Sequence, residues 1–254
     1  MNKVKIIVLA FAALIGISNS AHAEVVLLQS DDFVGFTFWL VSMACLAATV
    51  FFFLEKQSVP ASWRVSITVA GLVTGIAFIN YMYMRQIWVM TGDTSIVYRY
   101  IDWFITTPLI MLQFYFVLST TRKVPNGIFW RLLIGSIIMI CGGYLGEAVH
   151  IKAMFGFIVY MVGWICILYE VFSGEAGKMA AKSGNKAFVT AFGTMRMIVT
   201  IGWAVYPLGY LFGYLDGIDD NSLNVLYNVT DLITKIAFGL IIWSAAIQQS
   251  GKTR

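Results

Sequence analysis

RYIDWFITTPLIMLQFY, residues 99–115, carries Arg99 and Asp102 at one end of an apolar run and Gln113 near the other. At the centre of a bilayer an Asp or Arg costs about 2.5–3.5 kcal/mol even on permissive insertion scales. Such a stretch either lies outside a membrane or belongs to a bundle whose interior is polar and functional. On a helix, Arg99 and Asp102 are separated by i,i+3, Asp102 and Thr106 by i,i+4, and Thr106 and Gln113 by two full turns, so all four share one face. The rise per residue sets Asp102 and Gln113 about 16 Å apart along the axis. These spacings describe a polar track directed across a membrane. The plain structural alternative is a buried Arg–Asp pair that holds helices together, but intramembrane ionisable groups are by default functional.

The rest of the chain decides for the membrane. Its 254 residues are 59% hydrophobic and 12% charged, with a mean hydropathy of +0.81, far from the profile of a soluble domain. Apolar segments run over 33–54, 65–84, 98–121, 127–146, 153–172, 187–215 and 222–249. Most match the roughly 20 residues a helix needs to cross about 30 Å of hydrocarbon. The ten-residue alternation of an outer-membrane barrel is lacking, so the fold class is all-α, a seven-transmembrane-helix bundle. Ahead of the bundle, Lys3 and Lys5, the apolar run Ile6 to Ile17 and the small-residue site Ala21-His22-Ala23 read as a signal peptide over 1–23. One domain over 24–254 follows. Cys45, Cys141 and Cys166 all fall in apolar runs without metal-ligand spacing and read as small core residues.

Charge orients the bundle. Lys56 and Arg64, then Arg122, Lys123 and Arg131, then Lys178, Lys182 and Lys186, and finally Lys252 and Arg254 fall at alternate ends of the spans. The opposite loops carry mainly Asp93, Glu147, Asp216, Asp219 and Asp220. The positive-inside rule puts the first set in the cytoplasm, with the N-terminus outside and the C-terminus inside a cytoplasmic (inner) membrane. The net charge of +4 follows from this topology and implies no nucleic-acid partner.

The last span, NVLYNVTDLITKIAFGLIIW, places Lys235 near its middle, too deep to snorkel to water, with Asp231 one turn away on the same face. A desolvated lysine amine is suited to forming a Schiff base with an aldehyde, and Asp102 and Asp231 are candidate counter-ions. A simple Lys235–Asp231 ion pair is the alternative. Trp103, Trp164, and Trp203, Tyr206 and Pro207 in GWAVYPLGY lie at similar depth. Together they outline a rigid slot for a long, flat apolar ligand, beside a helix that Pro207 is expected to kink.

RYIDWFITTPL, GWAVYPLGY and DLITKIAFGLIIW, with GLVTGIAF, YMYMR and GYLGEA, resemble the helices of the proteorhodopsins, bacterial type-1 (microbial) rhodopsins. The resemblance covers essentially the whole chain beyond the signal peptide. It implies all-trans retinal bound covalently as a Schiff base on Lys235, with Asp102 as proton acceptor and counter-ion. Asp231 and Arg99 complete the counter-ion complex, and Thr106 orients Asp102. Trp103, Met139, Trp164, Trp203, Tyr206 and Pro207 match positions lining the chromophore. The resemblance also implies a pentamer or hexamer in membrane lipid.

Three positions depart from the family pattern. Gln113 stands where the pumps usually have a proton-donating Glu; an amide does not titrate, so the donor's general-acid contribution is missing. Asn80 replaces a His that bonds the acceptor and faces a neighbouring protomer, where Trp39 matches the residue that meets it. Ile110 occupies the colour-tuning position, where an aliphatic residue favours green absorption. Phe157 is bulky where carotenoid-binding relatives have Gly, which implies no antenna carotenoid.

The leading functional expectation is a non-enzymatic, light-driven outward proton pump that reprotonates slowly. A photosensor signalling to a separate transducer is the second reading. Asp102 argues against a chloride pump and Thr106 against a sodium pump. Gly71/Gly75 and Gly209/Gly213 read as close helix packing, and His150, Glu147 and Glu170 as solvated groups near span ends.

Overall fold

The structure is a computed structural model, and it describes residues 27–93, 96–215 and 217–251. The expected signal peptide, Asp216, Lys252 and Arg254 lie outside the described residues. The elements are α1 (Phe33–Glu55), a 3-10 turn (Ala61–Trp63) leading into α2 (Arg64–Thr91), α3 (Ile96–Ser119), α4 (Asn126–Glu147), α5 (Ala153–Phe172), α6 (Glu175–Ala181), α7 (Lys186–Met197), a π-helical turn (Ile198–Gly202), α8 (Val205–Tyr214) and α9 (Asp220–Gln249). Among the described residues, seven stretches are long and apolar enough to span a membrane, matching the seven apolar segments of the sequence. The main difference in length is α2, which continues through Thr91 because YMYMRQIWVMT offers no helix breaker before Gly92. Gly92 ends it with a left-handed φ of 70°.

Local chemistry fixes the helix ends. Asp32 caps α1 by accepting from the Gly35 amide at 2.7 Å, and its two oxygens also accept from the Trp88 indole of α2 at 2.9 Å. Asp219 caps α9 through the Ser222 hydroxyl (2.6 Å) and amide (2.9 Å), bonds that hold its carboxyl below the usual carboxylate range. At the other end of the bundle the Trp63 indole donates to Gln249 at 2.6 Å and the Trp243 indole to Glu55 at 3.2 Å, tying α9 to its neighbours.

α3 is the most enclosed span: 67% of its apolar window is buried, against 33% for the fifth and sixth spans. This is why its polar residues face protein rather than lipid. The tightest helix contact is between α4 and α5. A Cβ on Gly156 would fall 2.6 Å from Gly146 Cα, and one on Gly163 would fall 2.5 Å from the Met139 nitrogen. Gly71 and Gly75 meet Phe53 and Thr49 of α1, and Gly209 and Gly213 meet Tyr227 and Leu223 of α9, in line with the packing role expected of them. Gly156→Val is expected to destabilise the protein by at least about 1–3 kcal/mol, because the obstacle is backbone and cannot rotate away. Gly193→Ala, whose Cβ meets nothing within 4 Å, should be neutral or stabilising by up to about 1 kcal/mol. Denaturation midpoints of the two variants in one detergent check the contrast.

Two expectations are corrected. Cys45 is buried, but Cys141 is half-buried and Cys166 exposed, because the latter two lie on the outer faces of α4 and α5. Glu170 is not a solvated carboxylate. It is 3% exposed, accepts from Arg131 at 2.7 and 3.2 Å and from the Ala176 amide at 2.9 Å, and is covered as α6 folds back over the end of α5. Glu147 is half-buried, whereas His150 is exposed as expected.

Span six is interrupted where Pro207 predicts a kink. The break lies just before the proline, where the Trp203 amide bonds the Ile198 carbonyl at 3.1 Å, an i→i+5 pattern. Within the turn, the Val199 carbonyl accepts from the Trp164 indole at 3.0 Å. Gly202 lets this turn approach α9: a Cβ there would sit 2.8 Å from Thr234 Cγ2, one residue from Lys235.

Candidate functional site: a buried lysine between two carboxylates

α9 places Asp231 and Lys235 one turn apart, and α3 brings Asp102 to them from across the bundle. Exposures are 1%, 4% and 1% for Asp231, Lys235 and Asp102. Lys235 Nζ donates to Asp102 Oδ2 and, at 2.8 Å, to Asp231 Oδ2. Three charges this deep are tolerable only because they satisfy one another; removing one partner leaves an uncompensated buried charge.

The two carboxylates are not equivalent. Asp231 accepts from Tyr206 at 2.5 Å on Oδ1 and from Tyr81 at 2.7 Å, the Trp103 indole at 3.4 Å and Lys235 on Oδ2. Among the described residues, Asp102 is bonded through Oδ2 alone, and its Oδ1 has no partner. Asp102 therefore offers a proton an oxygen that accepts no bond, whereas both oxygens of Asp231 already accept hydrogen bonds.

Around the amine runs a narrow slot lined by Trp103, Thr107, Ile110, Met139, Ile140, Tyr160, Trp203, Tyr206, Asp231, Thr234 and Lys235. Trp103 meets Tyr206 edge-on at 5.1 Å and Tyr227 at 5.6 Å between ring centres, which fixes one wall. A long conjugated aldehyde needs a desolvated primary amine, a negative charge beside it and flat apolar walls. The residues present fit all three demands, and the unpaired Asp102 Oδ1 adds a polar atom waiting for a partner.

The structure thus brings Asp102, Asp231, Lys235, Trp103, Ile110, Met139, Trp203 and Tyr206 together. Other predicted residues stand further out. Arg99 touches neither carboxylate: its Nη2 donates to Asn224 at 2.9 Å and Asn228 at 3.1 Å, and its guanidinium lies 5.3 Å from the Tyr227 ring centre. Thr106 donates to the Asp102 carbonyl at 2.9 Å, not to its carboxylate. Asn80 donates to the Tyr98 carbonyl at 2.9 Å and to Met84 Sδ at 3.2 Å. Gln113, 1% exposed, lies at the other end of α3, its amide 3.4 Å from the Ser66 carbonyl. Trp164 braces the π turn, and Pro207 is buried in α8. Phe157 packs on Tyr210, ring centres 5.5 Å apart, and Trp39 lies under the Arg85 guanidinium at 4.7 Å.

Several contributors carried little or no sequence signal. Thr107, Ile140 and Tyr160 are ordinary residues of apolar helices. Asn224 and Asn228 were legible, since with Asp231 and Lys235 they repeat at i, i+4, i+7 and i+11 on one face of α9.

A family model described as Bacteriorhodopsin-like protein matches residues 32–249, and the chain belongs to that family, whose members are light-driven membrane proteins that bind retinal covalently. Among its relatives are the proteorhodopsins. The chain is 47% identical to the green-light absorbing proteorhodopsin of Gamma-proteobacterium EBAC31A08 over 225 residues, 88% of this chain and 90% of the relative. It is 46% identical to the blue-light absorbing proteorhodopsin of Gamma-proteobacterium Hot 75m4, over 88% and 90% of the two chains. The crystal structure of blue light-absorbing proteorhodopsin from Med12 superposes with a TM-score of 0.75 at 46% identity, covering 86% of this chain and all of that one. The protein is accordingly a multi-pass bacterial membrane rhodopsin with retinal as its cofactor, a light-driven photoreceptor and not an enzyme.

Proposed function

We propose that this protein is a light-driven outward proton pump in which retinal is carried on Lys235 and Asp102 is the proton acceptor. The observation that carries the reading is the buried Lys235 amine bonded to two carboxylates of unequal saturation. When bound, retinal supplies light absorption and the change of shape that releases the proton at Nζ. Asp102, whose Oδ2 accepts from the free Lys235 amine, would be the carboxylate that receives that proton. Asp231, saturated by Tyr81, Tyr206 and Trp103, remains the fixed negative charge beside Nζ. Arg99, held by Asn224 and Asn228, lies beyond the carboxylates on the path away from Gln113. Thr106 steadies the backbone that carries Asp102, while Trp103, Ile110, Met139, Trp203 and Tyr206 exclude water and hold the chromophore flat. Trp164 and Pro207 shape the slot from behind through the break in span six.

Direction follows from the charge pattern. Cations gather at the Gln113 end of α3, which makes that end cytoplasmic and the Arg99 end external. In this reading the mature chain starts near Glu24, after a signal peptide, with its N-terminus outside. The protomers assemble into a pentamer or hexamer in the inner membrane. Overall identity is nearly equal to green- and blue-absorbing relatives, so Ile110 in the slot wall is the residue that favours green.

Reprotonation of Nζ has no carboxylate at position 113 to draw on, because Gln113 does not titrate and its amide is spent on the Ser66 carbonyl. Recovery of the ground-state absorption after a flash is therefore expected to be slow, accelerated by azide and by lower pH. Gln113→Glu should accelerate it by about 10²–10⁴-fold. A fast recovery in the unmodified protein, indifferent to azide, pH and Gln113→Glu, would show another donor at work. The same missing carboxylate favours the second reading, a slow photosensor acting on a separate transducer. An anion pump is disfavoured because Asp102 occupies the place beside Nζ that an anion would need.

A further inference from the structure

We propose that Ser66 and Gln113 hold a buried water between α2 and α3, and that this water is the station from which the proton returns to Lys235. The inference rests on the pump reading for its role, though not for its site. Ser66 is 0% and Gln113 1% exposed, yet neither Ser66 Oγ nor Gln113 Oε1 has a hydrogen-bond partner among the described residues. The two residues are adjacent, since Gln113 Nε2 reaches the Ser66 carbonyl at 3.4 Å. Buried polar atoms are almost always satisfied, by protein or by ordered water.

Ser66 is also unusual within its own helix. Thr68, Thr74 and Thr91 spend their hydroxyls on the carbonyl four residues back, at 2.7, 3.1 and 2.8 Å, the common habit of hydroxyls in apolar helices. Ser66, at the start of α2, makes no such bond and keeps its hydroxyl free. A water needs two to four polar partners. Ser66 Oγ can donate to it, Gln113 Oε1 can accept one of its protons, and its second proton is then free to pass on. Gln113 thus keeps a use at a position where it cannot titrate: it binds the carrier instead of being one.

Next to Gln113 on α3 begins an apolar cluster that reaches α9 one turn beyond Lys235. Phe114 of α3 meets Phe192 of α7 at 5.1 Å and Phe238 of α9 at 5.6 Å, both edge-on, and all three rings are at most 1% exposed. Phe238 is i+3 from Lys235 on α9. In the proposed path the proton passes this apolar cluster on its way from the water to Nζ. The proton delivered to Nζ is replaced from cytoplasmic solvent, so Ser66 and Gln113 end the cycle unchanged. Ser66 acts as a positioning residue.

The test uses the retinal-loaded, full-length protein in membranes. Light-minus-dark infrared spectra should contain a water O–H stretch that shifts in H₂¹⁸O, is lost in Ser66→Ala and persists in Ser66→Thr. Flash recovery should slow in Ser66→Ala by roughly three- to tenfold, the range that one hydrogen bond supports. The slowing should disappear at saturating azide, because azide delivers the proton without the water. A recovery unchanged in Ser66→Ala overturns the proposal. So does an unmodified protein lacking the ¹⁸O-sensitive band, which would mean that Ser66 and Gln113 pair directly. A slowing that persists at saturating azide would make Ser66 merely structural. Absent transport with the infrared band and azide effect intact would count against the pump reading and leave the water site standing.

Discussion

Lys235→Ala is expected to abolish the visible absorption band of protein supplied with all-trans retinal. Lys235 is the lysine that lies within the slot; Lys56, Lys123, Lys152, Lys178, Lys182 and Lys186 stand in loops or at helix ends, where an amine is hydrated and far from the aromatic walls. The loss should therefore be complete rather than partial. Because the substitution also strands Asp102 and Asp231 without their shared cation, at a cost of about 3–5 kcal/mol, the protein could lose its band simply by unfolding. Lys235→Arg separates the two causes. It keeps a positive charge between the carboxylates but has no primary amine to form the linkage. A helical, monodisperse and colourless Lys235→Arg protein supports the assignment, and a surviving visible band in either variant refutes it.

Asp102→Asn is expected to retain a coloured protein while reducing light-driven proton release by at least about 10²-fold, the lower range for losing an acid–base group. Asn preserves the shape and one hydrogen bond to Nζ but cannot receive a proton. Asp231→Asn makes the informative contrast. That carboxylate is held by Tyr81, Tyr206 and Trp103, so its replacement should disturb colour and stability more than proton transfer. If Asp231→Asn stopped release and Asp102→Asn did not, the acceptor would be the other carboxylate. Flash spectroscopy and pH recording on the same two preparations distinguish these outcomes.

The seven spans and the deep lysine were legible because lipid imposes strict demands. A run of about 20 apolar residues has few alternatives, and an ionisable side chain inside one stands out against the background. For the same reason Asp102 and Asp231 could be paired with Lys235 from depth alone. Contacts that depend on which way a polar side chain turns were not legible. Arg99 shares a face with Asp102, yet it reaches Asn224 and Asn228 because α9 offers two carbonyl acceptors one turn apart. Thr106 has the right spacing to orient a carboxylate, but its hydroxyl takes the Asp102 backbone carbonyl, the habitual choice of a helical Thr. Glu170 looked solvated because the return of α6 depends on a turn at Ser173 and Gly174 that hydropathy does not report. The α4–α5 glycines were visible as letters, but only the helix crossing reveals that Gly156 and Gly163 face backbone.

The most direct test of outward proton pumping is to illuminate cells that express the chain and are supplied with retinal, while recording external pH with and without a protonophore. The account predicts acidification on illumination, reversed in the dark and abolished by the protonophore. No pH change from a coloured, photocycling protein would contradict it in favour of the sensor, and alkalinisation enhanced by the protonophore would contradict it by showing that another ion is moved.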